Sequence, residues 1–270
     1  MFKVIIEDRK LEARDNTSIE DLIKSNFDYK DIVAAKIDND LCDLSDLITS
    51  DCNIELIKSS DNTGLEIIRH TCAHLLGHAI KQIYPDTKMV IGPVIDNGFY
   101  YDIDIKETIS EKDLSSIELL MKKLAKKKYK IIREVVTKDK AAKVFSERNE
   151  NYKLKLIKEI PNNEIIAIYH HEEYIDMCRG PHLTNTKFLN NFKLMKVSGS
   201  YWKGDSQNKQ LQRIYGTAWN SKESLQNYLE KLTEAEKRDH RKLGQKLDLF
   251  HFQEESPGMV FWHNNGWTLF

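Results

Sequence analysis

The segment Arg69-His70-Thr71-Cys72-Ala73-His74-Leu75-Leu76 places two histidines four positions apart inside a stretch with helical periodicity. Apolar residues recur at every third or fourth position over residues 65–84, which predicts a helix, and Pro85 ends it. Residues i and i+4 of a helix share one face, with their Cβ atoms about 5–6 Å apart. We therefore expect His70 and His74 to face the same ion or the same reacting atom.

A second motif, Cys178-Arg179-Gly180-Pro181-His182, has the same spacing but a different geometry. Gly-Pro inside the spacer is incompatible with a helix, so the thiol and the imidazole must converge through a tight turn. Together the two motifs supply one cysteine and three histidines, a donor set that suits a tetrahedral zinc ion.

The residues alone leave several interpretations of these motifs open. Histidines in helices are often held by neighbouring side chains without further function, and a free cysteine such as Cys178 is most often a small buried hydrophobe. A zinc metalloprotease would need a glutamate directly after the first histidine as general base, and this position is Thr71. Spacing alone therefore predicts only a hydrolytic or metal-binding pocket.

The composition is typical of a soluble globular protein from a reducing compartment. The 270 residues suffice for roughly two domains, and 41 basic against 42 acidic residues give a net charge of −1. This balance excludes a histone-like polycation, so any contact with nucleic acid needs local patches. No apolar run approaches the roughly 20 residues that span a bilayer. Four scattered cysteines are too few for a disulfide framework, so we expect a cytoplasmic protein.

The residue pattern changes at three places along the chain. Residues 1–59 combine short β-branched runs with one capped helix, which predicts a small α+β unit ending in a polar linker. Strands, turns and helices alternate over residues 65–219. A charged helix over residues 220–243 is typical of an interdomain connector, and the aromatic-rich residues 250–270 suggest the beginning of a further domain.

Five long motifs resemble the editing domain of bacterial threonyl-tRNA synthetases. They are residues 69–76, Ile91-Gly92-Pro93 with Asn97-Gly98-Phe99-Tyr100-Tyr101-Asp102, Asp176-Met177-Cys178-Arg179-Gly180-Pro181-His182, Gly199-Ser200-Tyr201-Trp202-Lys203-Gly204-Asp205, and Gln212-Arg213-Ile214-Tyr215-Gly216-Thr217-Ala218-Trp219. The editing domain of alanyl-tRNA synthetases shares the paired histidine and cysteine frame. The neighbouring segments and the tail over residues 239–263 are similar specifically to the threonyl enzymes, so the resemblance covers nearly the whole chain.

The resemblance implies an α+β fold in four parts. A ubiquitin-like β-grasp TGS domain is expected over residues 1–59, and an α+β editing domain with an antiparallel sheet over residues 60–220. A connector helix over residues 221–238 and the start of a class II catalytic domain over residues 239–270 complete the chain. The expected turns of the TGS domain lack the glycine that is common there, which leaves their geometry open.

The resemblance also implies the hydrolysis of mischarged seryl-tRNA by a pocket of seven residues. They are His70, His74, Cys178, His182, Lys153, Asp176 and Tyr101. His70 is expected to orient or deprotonate the attacking water, while His74 and His182 hold water and substrate. Cys178 is expected to form a wall of the pocket, because hydrolysis needs no second acyl acceptor.

Three of these residues lie outside the two histidine motifs or at their edge. Lys153 is expected to stabilise negative charge near the ester, Asp176 to anchor the substrate ammonium or hydroxyl, and Tyr101 to bond the ribose or the aminoacyl group. Each has a plainer alternative, namely a solvated lysine, an exposed loop carboxylate and a core aromatic.

For the complete enzyme, the resemblance implies ATP-dependent attachment of threonine to tRNA(Thr). Zinc and Mg-ATP are then expected in a catalytic core beyond residue 270, which also forms a homodimer. No tightly bound cofactor and no membrane contact are expected for the present residues, whose only candidate zinc ligands are the four cysteine and histidine residues of the two motifs. Two alternatives remain: a free-standing deacylase that clears mischarged tRNA, and a non-catalytic RNA-binding module.

Overall fold

A computed structural model describes residues 1–162 and 164–270 of the chain. These residues form two compact units, Met1–Lys222 and Glu223–Phe270. The fold class is mixed α+β, as predicted, and no helix among the described residues combines the length and the apolar character needed to cross a bilayer. The α-helices of the described residues are α1 (Ile19–Asn26), α2 (Asn62–Ile83), α3 (Glu111–Lys126), α4 (Lys138–Glu147), α5 (Asn151–Glu159), α6 (Lys222–Lys237), α7 (His240–Lys246) and α8 (Asn264–Leu269).

The strands of the described residues build one mixed sheet and several antiparallel ones. They are β1 (Phe2–Ile6), β2 (Arg9–Ala13), β3 (Ile32–Ile37), β4 (Asp40–Cys42), β5 (Cys52–Lys58), β6 (Lys88–Met89), β7 (Val94–Ile95), β8 (Gly98–Asp104), β9 (Ile131–Val136), β10 (Ile166–His171), β11 (Tyr174–Cys178), β12 (Asn191–Tyr201), β13 (Gln210–Trp219), β14 (Phe250–His251) and β15 (Phe261–Trp262). Short 3₁₀ turns occupy Tyr29–Asp31, Thr186–Phe188 and Trp202–Gly204.

Residues 1–59, called the N-terminal module below, form a five-stranded sheet in the order β2-β1-β5-β3-β4. Strands β1 and β5 run parallel, and the other neighbours are antiparallel. The Ser18 side chain caps α1 by accepting from the backbone N–H of Asp21. The buried face of α1 belongs to the same apolar cluster as the inner residues of the sheet.

Two hairpins of the N-terminal module turn through left-handed residues that are not glycine. In the first, Glu7 and Asp8 have φ values of 44° and 65°, and in the second, Asp38 and Asn39 have values of 49° and 79°. Strand pairing resumes at once after each pair, so both are two-residue turns. Aspartate and asparagine, which hold three of these four positions, tolerate this conformation best among residues with a Cβ; Glu7 holds the fourth.

Helix α2 is the central element of residues 60–222. It contacts strands of the antiparallel sheet β12-β13-β8-β6 as well as strands of the second sheet, β11-β10-β9. One apolar cluster includes its residues together with those of α3, which begins with a capping box formed by Ser110 and Asp113. Its histidine-bearing stretch therefore lies where both sheets can bring side chains to it.

The second unit holds α7, the short hairpin β14–β15 and α8. The prediction of one charged helix over residues 220–243 is wrong in its extent, because two helices occupy this region. The chain leaves the helical conformation at Asp239, whose carboxylate accepts from the backbone N–H of Arg241 and so starts α7.

Candidate active site

The two histidine motifs converge in one cluster. The ring centroids of His182 and His74 lie 4.1 Å apart, those of His182 and His70 4.3 Å, and those of His70 and His74 5.3 Å. The thiol sulfur of Cys178 lies 3.0 Å from Nε2 of His182. One ligand atom from each of the four residues lies within 4.8 Å of the others. The predicted convergence of helix and turn is therefore what the structure shows.

The turn between Cys178 and His182 requires glycine at its centre. Gly180 has a φ of 72°, and a Cβ atom there would lie 2.0 Å from the hydroxyl oxygen of Tyr169. Any other residue would be strained by its backbone conformation and would also push against a buried side chain. The glycine thus brings the thiol of Cys178 back onto the imidazole of His182.

Thr71, the residue that argued against a metalloprotease, fixes the tautomer of His182. Its hydroxyl donates to the carbonyl of Ile67 at 2.8 Å and accepts from the backbone N–H of Leu183 at 3.2 Å. Nδ1 of His182 lies 3.0 Å from the same oxygen. Because the hydroxyl proton is already used, Nδ1 must be the protonated nitrogen, and Nε2 presents a lone pair to Cys178.

Asp176 and Lys153 form a buried ion pair beside the imidazoles. Only 1 % of Asp176 and 4 % of Lys153 is exposed, so the alternatives of a loop carboxylate and a solvated lysine are wrong. The carboxylate also accepts from the hydroxyls of Tyr101 and Tyr174, the latter at 2.8 Å, and from the backbone N–H of Met177 at 2.8 Å. Nε2 of His74 lies 3.7 Å from it.

Asp176 and Tyr101 are already engaged by other groups of the protein. Both carboxylate oxygens of Asp176 already accept two donors each, which leaves little capacity to anchor a substrate ammonium. The hydroxyl of Tyr101 donates to this carboxylate, and only 1 % of the tyrosine is exposed, so its expected bond to the ribose or the aminoacyl group stays a prediction. Both residues contact the ammonium of Lys153, Asp176 as its ion-pair partner and Tyr101 through its hydroxyl at 3.4 Å.

Burial sets the protonation states of the cluster. It lowers the pKa of His70 to about 4 and those of His74 and His182 well below the usual range, so the three imidazoles are neutral at pH 7. Burial, and secondly the negative charge of Asp176, raises the pKa of the Cys178 thiol, so the sulfur stays protonated. Burial also opposes ionisation of Asp176, but the Lys153 ammonium outweighs it and lowers the pKa of this carboxyl.

Sequence reasoning missed two side chains that line the cluster. Tyr169 packs its ring 4.3 Å from that of His182, and the buried His171 lies 5.5 Å from His74 between ring centroids. Within the described part of the chain, Nδ1 of His74 and Nε2 of His171 are buried without a hydrogen-bond partner. Both residues lie on β10, outside the two motifs, where no spacing in the sequence connects them with the cluster.

Residues 166–215 match the family described as threonyl and alanyl tRNA synthetase second additional domain. Over 238 residues, or 88 % of the chain, the sequence is 57 % identical to the threonine–tRNA ligase of Prochlorococcus marinus (strain MIT 9211). The chain belongs to the threonyl-tRNA synthetase family. It spans 37 % of the length of that curated relative.

The match to the second additional domain of threonyl-tRNA synthetases covers only part of the pocket. Asp176, Cys178 and His182 lie inside the matched segment. The other four predicted residues are supplied by α2, β8 and α5, outside it. The fold therefore completes a site of which the matched segment carries less than half.

The cysteine and three histidines of the cluster have donor chemistry that suits zinc. The bond between Nδ1 of His182 and Thr71 is the kind of outer contact that orients a histidine ligand. However, a raised pKa opposes the thiolate that zinc requires, and the Lys153 ammonium adds positive charge close by. The absence of tightly bound zinc at these residues stays a prediction.

Proposed function

We propose that this pocket hydrolyses the ester of seryl-tRNA(Thr) and is the editing site of a threonine–tRNA ligase. Threonine differs from serine by one methyl group, and a missing methyl in a synthetic pocket is worth only about 1–3 kcal/mol. That discrimination is too weak to exclude serine. A second pocket that admits serine and rejects the larger side chain of threonine supplies the remainder.

The observation that carries the proposal is a group of neutral imidazoles beside a fixed ammonium. His70 is the most accessible of the three pocket histidines, while His74 and His182 are buried. A neutral imidazole can accept the proton of a water molecule, and its partial exposure lets His70 meet both water and substrate. The protonated Cys178 cannot act as a nucleophile, which favours direct attack by water over an acyl-enzyme.

The hydrolysis then follows in two steps. Water attacks the ester carbonyl carbon as His70 takes its proton, and the carbonyl oxygen becomes an oxyanion near the ammonium of Lys153. As the bond to the ribose oxygen breaks, His70 returns the proton to that oxygen, which frees serine and intact tRNA. Nδ1 of His74, for which the described residues supply no hydrogen-bond partner, would hold the water or the substrate during these steps.

We also propose that the complete protein attaches threonine to tRNA(Thr). The curated relative is named a threonine–tRNA ligase, and the chain aligns with 37 % of it. Threonine, Mg-ATP and zinc are then ligands of residues outside this chain, and dimerisation is a property of the complete protein. The domain boundaries near residues 59, 220 and 238 belong to this proposal.

Two assays on one preparation of the 270-residue chain test the function. We expect release of labelled serine from seryl-tRNA(Thr), while threonyl-tRNA(Thr) stays intact and ATP-dependent charging with threonine is absent. A His70→Ala variant should lose this hydrolysis. His170→Ala is its matched control, because His170 lies on β10 but pairs with Glu134 outside the pocket. No hydrolysis by folded protein at high concentration would overturn the proposal and favour the RNA-binding module.

A further inference from the structure

A carboxylate from the N-terminal module reaches the turn that carries His182. Asp43 follows β4, and only 5 % of it is exposed. Its Oδ1 accepts from the backbone N–H of His182 at 3.0 Å, and its Oδ2 accepts from the hydroxyl of Tyr169 at 2.7 Å. One side chain from outside residues 60–220 thus holds the main chain of a pocket residue.

The N-terminal module packs against α2 through a shared apolar core. Val33 and Ile57 of the N-terminal module belong to the same buried apolar cluster as Ile67 and Ile68 of α2. The guanidinium of Arg133 on β9 adds a charged contact, with its Nε 3.4 Å from Oδ2 of Asp43. Since packed elements do not slide freely, the position of the Asp43 carboxylate is set by the fold.

The consequences of losing the Asp43 carboxylate concern the turn itself. The backbone N–H of His182 would be buried without an acceptor, and Tyr169 would lose the acceptor of its hydroxyl. Tyr169 also lies directly against Gly180, the residue on which the turn depends. The turn would then be free to shift, and the imidazole of His182 would shift with it.

We propose that Asp43 is a positioning residue of the hydrolytic site, so that the N-terminal module forms part of the pocket's support. The proposal rests on the function proposed above. Asp43 touches no substrate; it acts by fixing the main chain of His182 against Cys178 and the imidazole of His70. Displacements of about 1 Å in such a site lower rates by about a hundredfold.

Two substitutions of Asp43 test its hydrogen bonds separately from the other contacts of the N-terminal module. Asp43→Asn keeps an amide oxygen that can accept from His182, and its NH₂ group can donate to the hydroxyl of Tyr169. Asp43→Ala removes both interactions. Glu20→Ala is the matched control, because Glu20 also joins the N-terminal module to this region, through the hydroxyl of Thr184 at 3.2 Å, without touching a pocket residue.

The experiment measures deacylation of seryl-tRNA(Thr) and hydrogen exchange on the complete 270-residue chain. For Asp43→Ala we expect kcat to fall by about tenfold to a hundredfold with KM unchanged. Amides of residues 178–183 should exchange faster, while those of the β12–β13 hairpin should not. Asp43→Asn and Glu20→Ala should stay within about threefold of the wild-type kcat.

The outcomes distinguish the two proposals. If the wild-type chain hydrolyses seryl-tRNA and Asp43→Ala matches Glu20→Ala in kcat and in exchange, the positioning role is overturned and the function stands. If the wild-type chain is inactive, the function fails, and the exchange of residues 178–183 alone decides the role of Asp43. If Asp43→Ala does not fold, Asp43→Ser takes its place, since it also removes the carboxylate that accepts from the backbone N–H of His182. An unchanged kcat and unchanged exchange in that variant would overturn the proposal.

Discussion

Replacement of Lys153 by methionine tests the buried ion pair most directly. Methionine keeps the volume of the aliphatic stem and removes the ammonium that pairs with Asp176. Tyr101, Tyr174 and one backbone N–H still donate to the carboxylate, but its counter-charge is gone. Breaking such a pair from one side typically lowers the free energy of unfolding by about 3–5 kcal/mol.

Protonation of Asp176 sets an upper limit on this loss. Protonation of a carboxylate with an ordinary pKa near 3.9 costs about 4 kcal/mol at pH 7. At pH 5 it costs only about 1.5 kcal/mol. We therefore expect Lys153→Met to destabilise the chain by about 3–4 kcal/mol at pH 7 and by about 1.5 kcal/mol at pH 5. Asp176→Asn in the same chain should restore about half of the loss at pH 7, because no unpaired charge remains buried.

Urea unfolding at both pH values, followed by circular dichroism, measures these differences. Lys193→Met is the control, since this half-exposed lysine lies 3.8 Å from Glu118 and should change stability by no more than about 0.5 kcal/mol. Deacylation should be lost both in Lys153→Met and in the double variant with Asp176→Asn. The second substitution should therefore restore stability but not activity. A loss below about 1 kcal/mol at pH 7, or an equal loss at both pH values, would refute the buried-pair argument.

Three further predictions concern the imidazoles. His70→Ala should abolish release of serine from seryl-tRNA(Thr) with an unchanged circular dichroism spectrum, because helices accept alanine well; hydrolysis at the wild-type rate would exclude His70 as the base. Metal analysis of protein purified without added zinc should find no stoichiometric ion, and activity lost on chelation would instead make the four residues metal ligands. Acidification from pH 7 to pH 5 should lower the urea midpoint, because burial holds the pKa of His171 near 3 and lowers those of the three pocket histidines. The histidines of the unfolded chain take up protons at a higher pH than those of the folded chain. By pH 5 this lowers the free energy of unfolding by about 2 kcal/mol per histidine. Asp43, whose pKa burial raises to about 6, works in the opposite direction but is a single group, so a constant midpoint would contradict the prediction.

Local signals in the sequence were sufficient for the fold class and for the two motifs of the pocket. Helical periodicity and Pro85 predicted α2 almost to its ends, and the i, i+4 spacing placed His70 and His74 on one face. Gly180 and Pro181 predicted a turn that returns Cys178 to His182. Each of these features depends on residues within a few positions of one another, where backbone sterics and helix geometry act directly.

The surroundings of those motifs were decided by the tertiary structure. The sequence left Lys153 and Asp176 with solvated alternatives and Tyr101 with the alternative of a core aromatic. Packing of α5, β8 and β11 encloses all three in one buried network. It gave no sign that Asp43 would hold the backbone of His182, a residue 139 positions away. Burial creates the neutral imidazoles and fixes the ion pair, and burial arises only when segments distant in sequence pack together and exclude water.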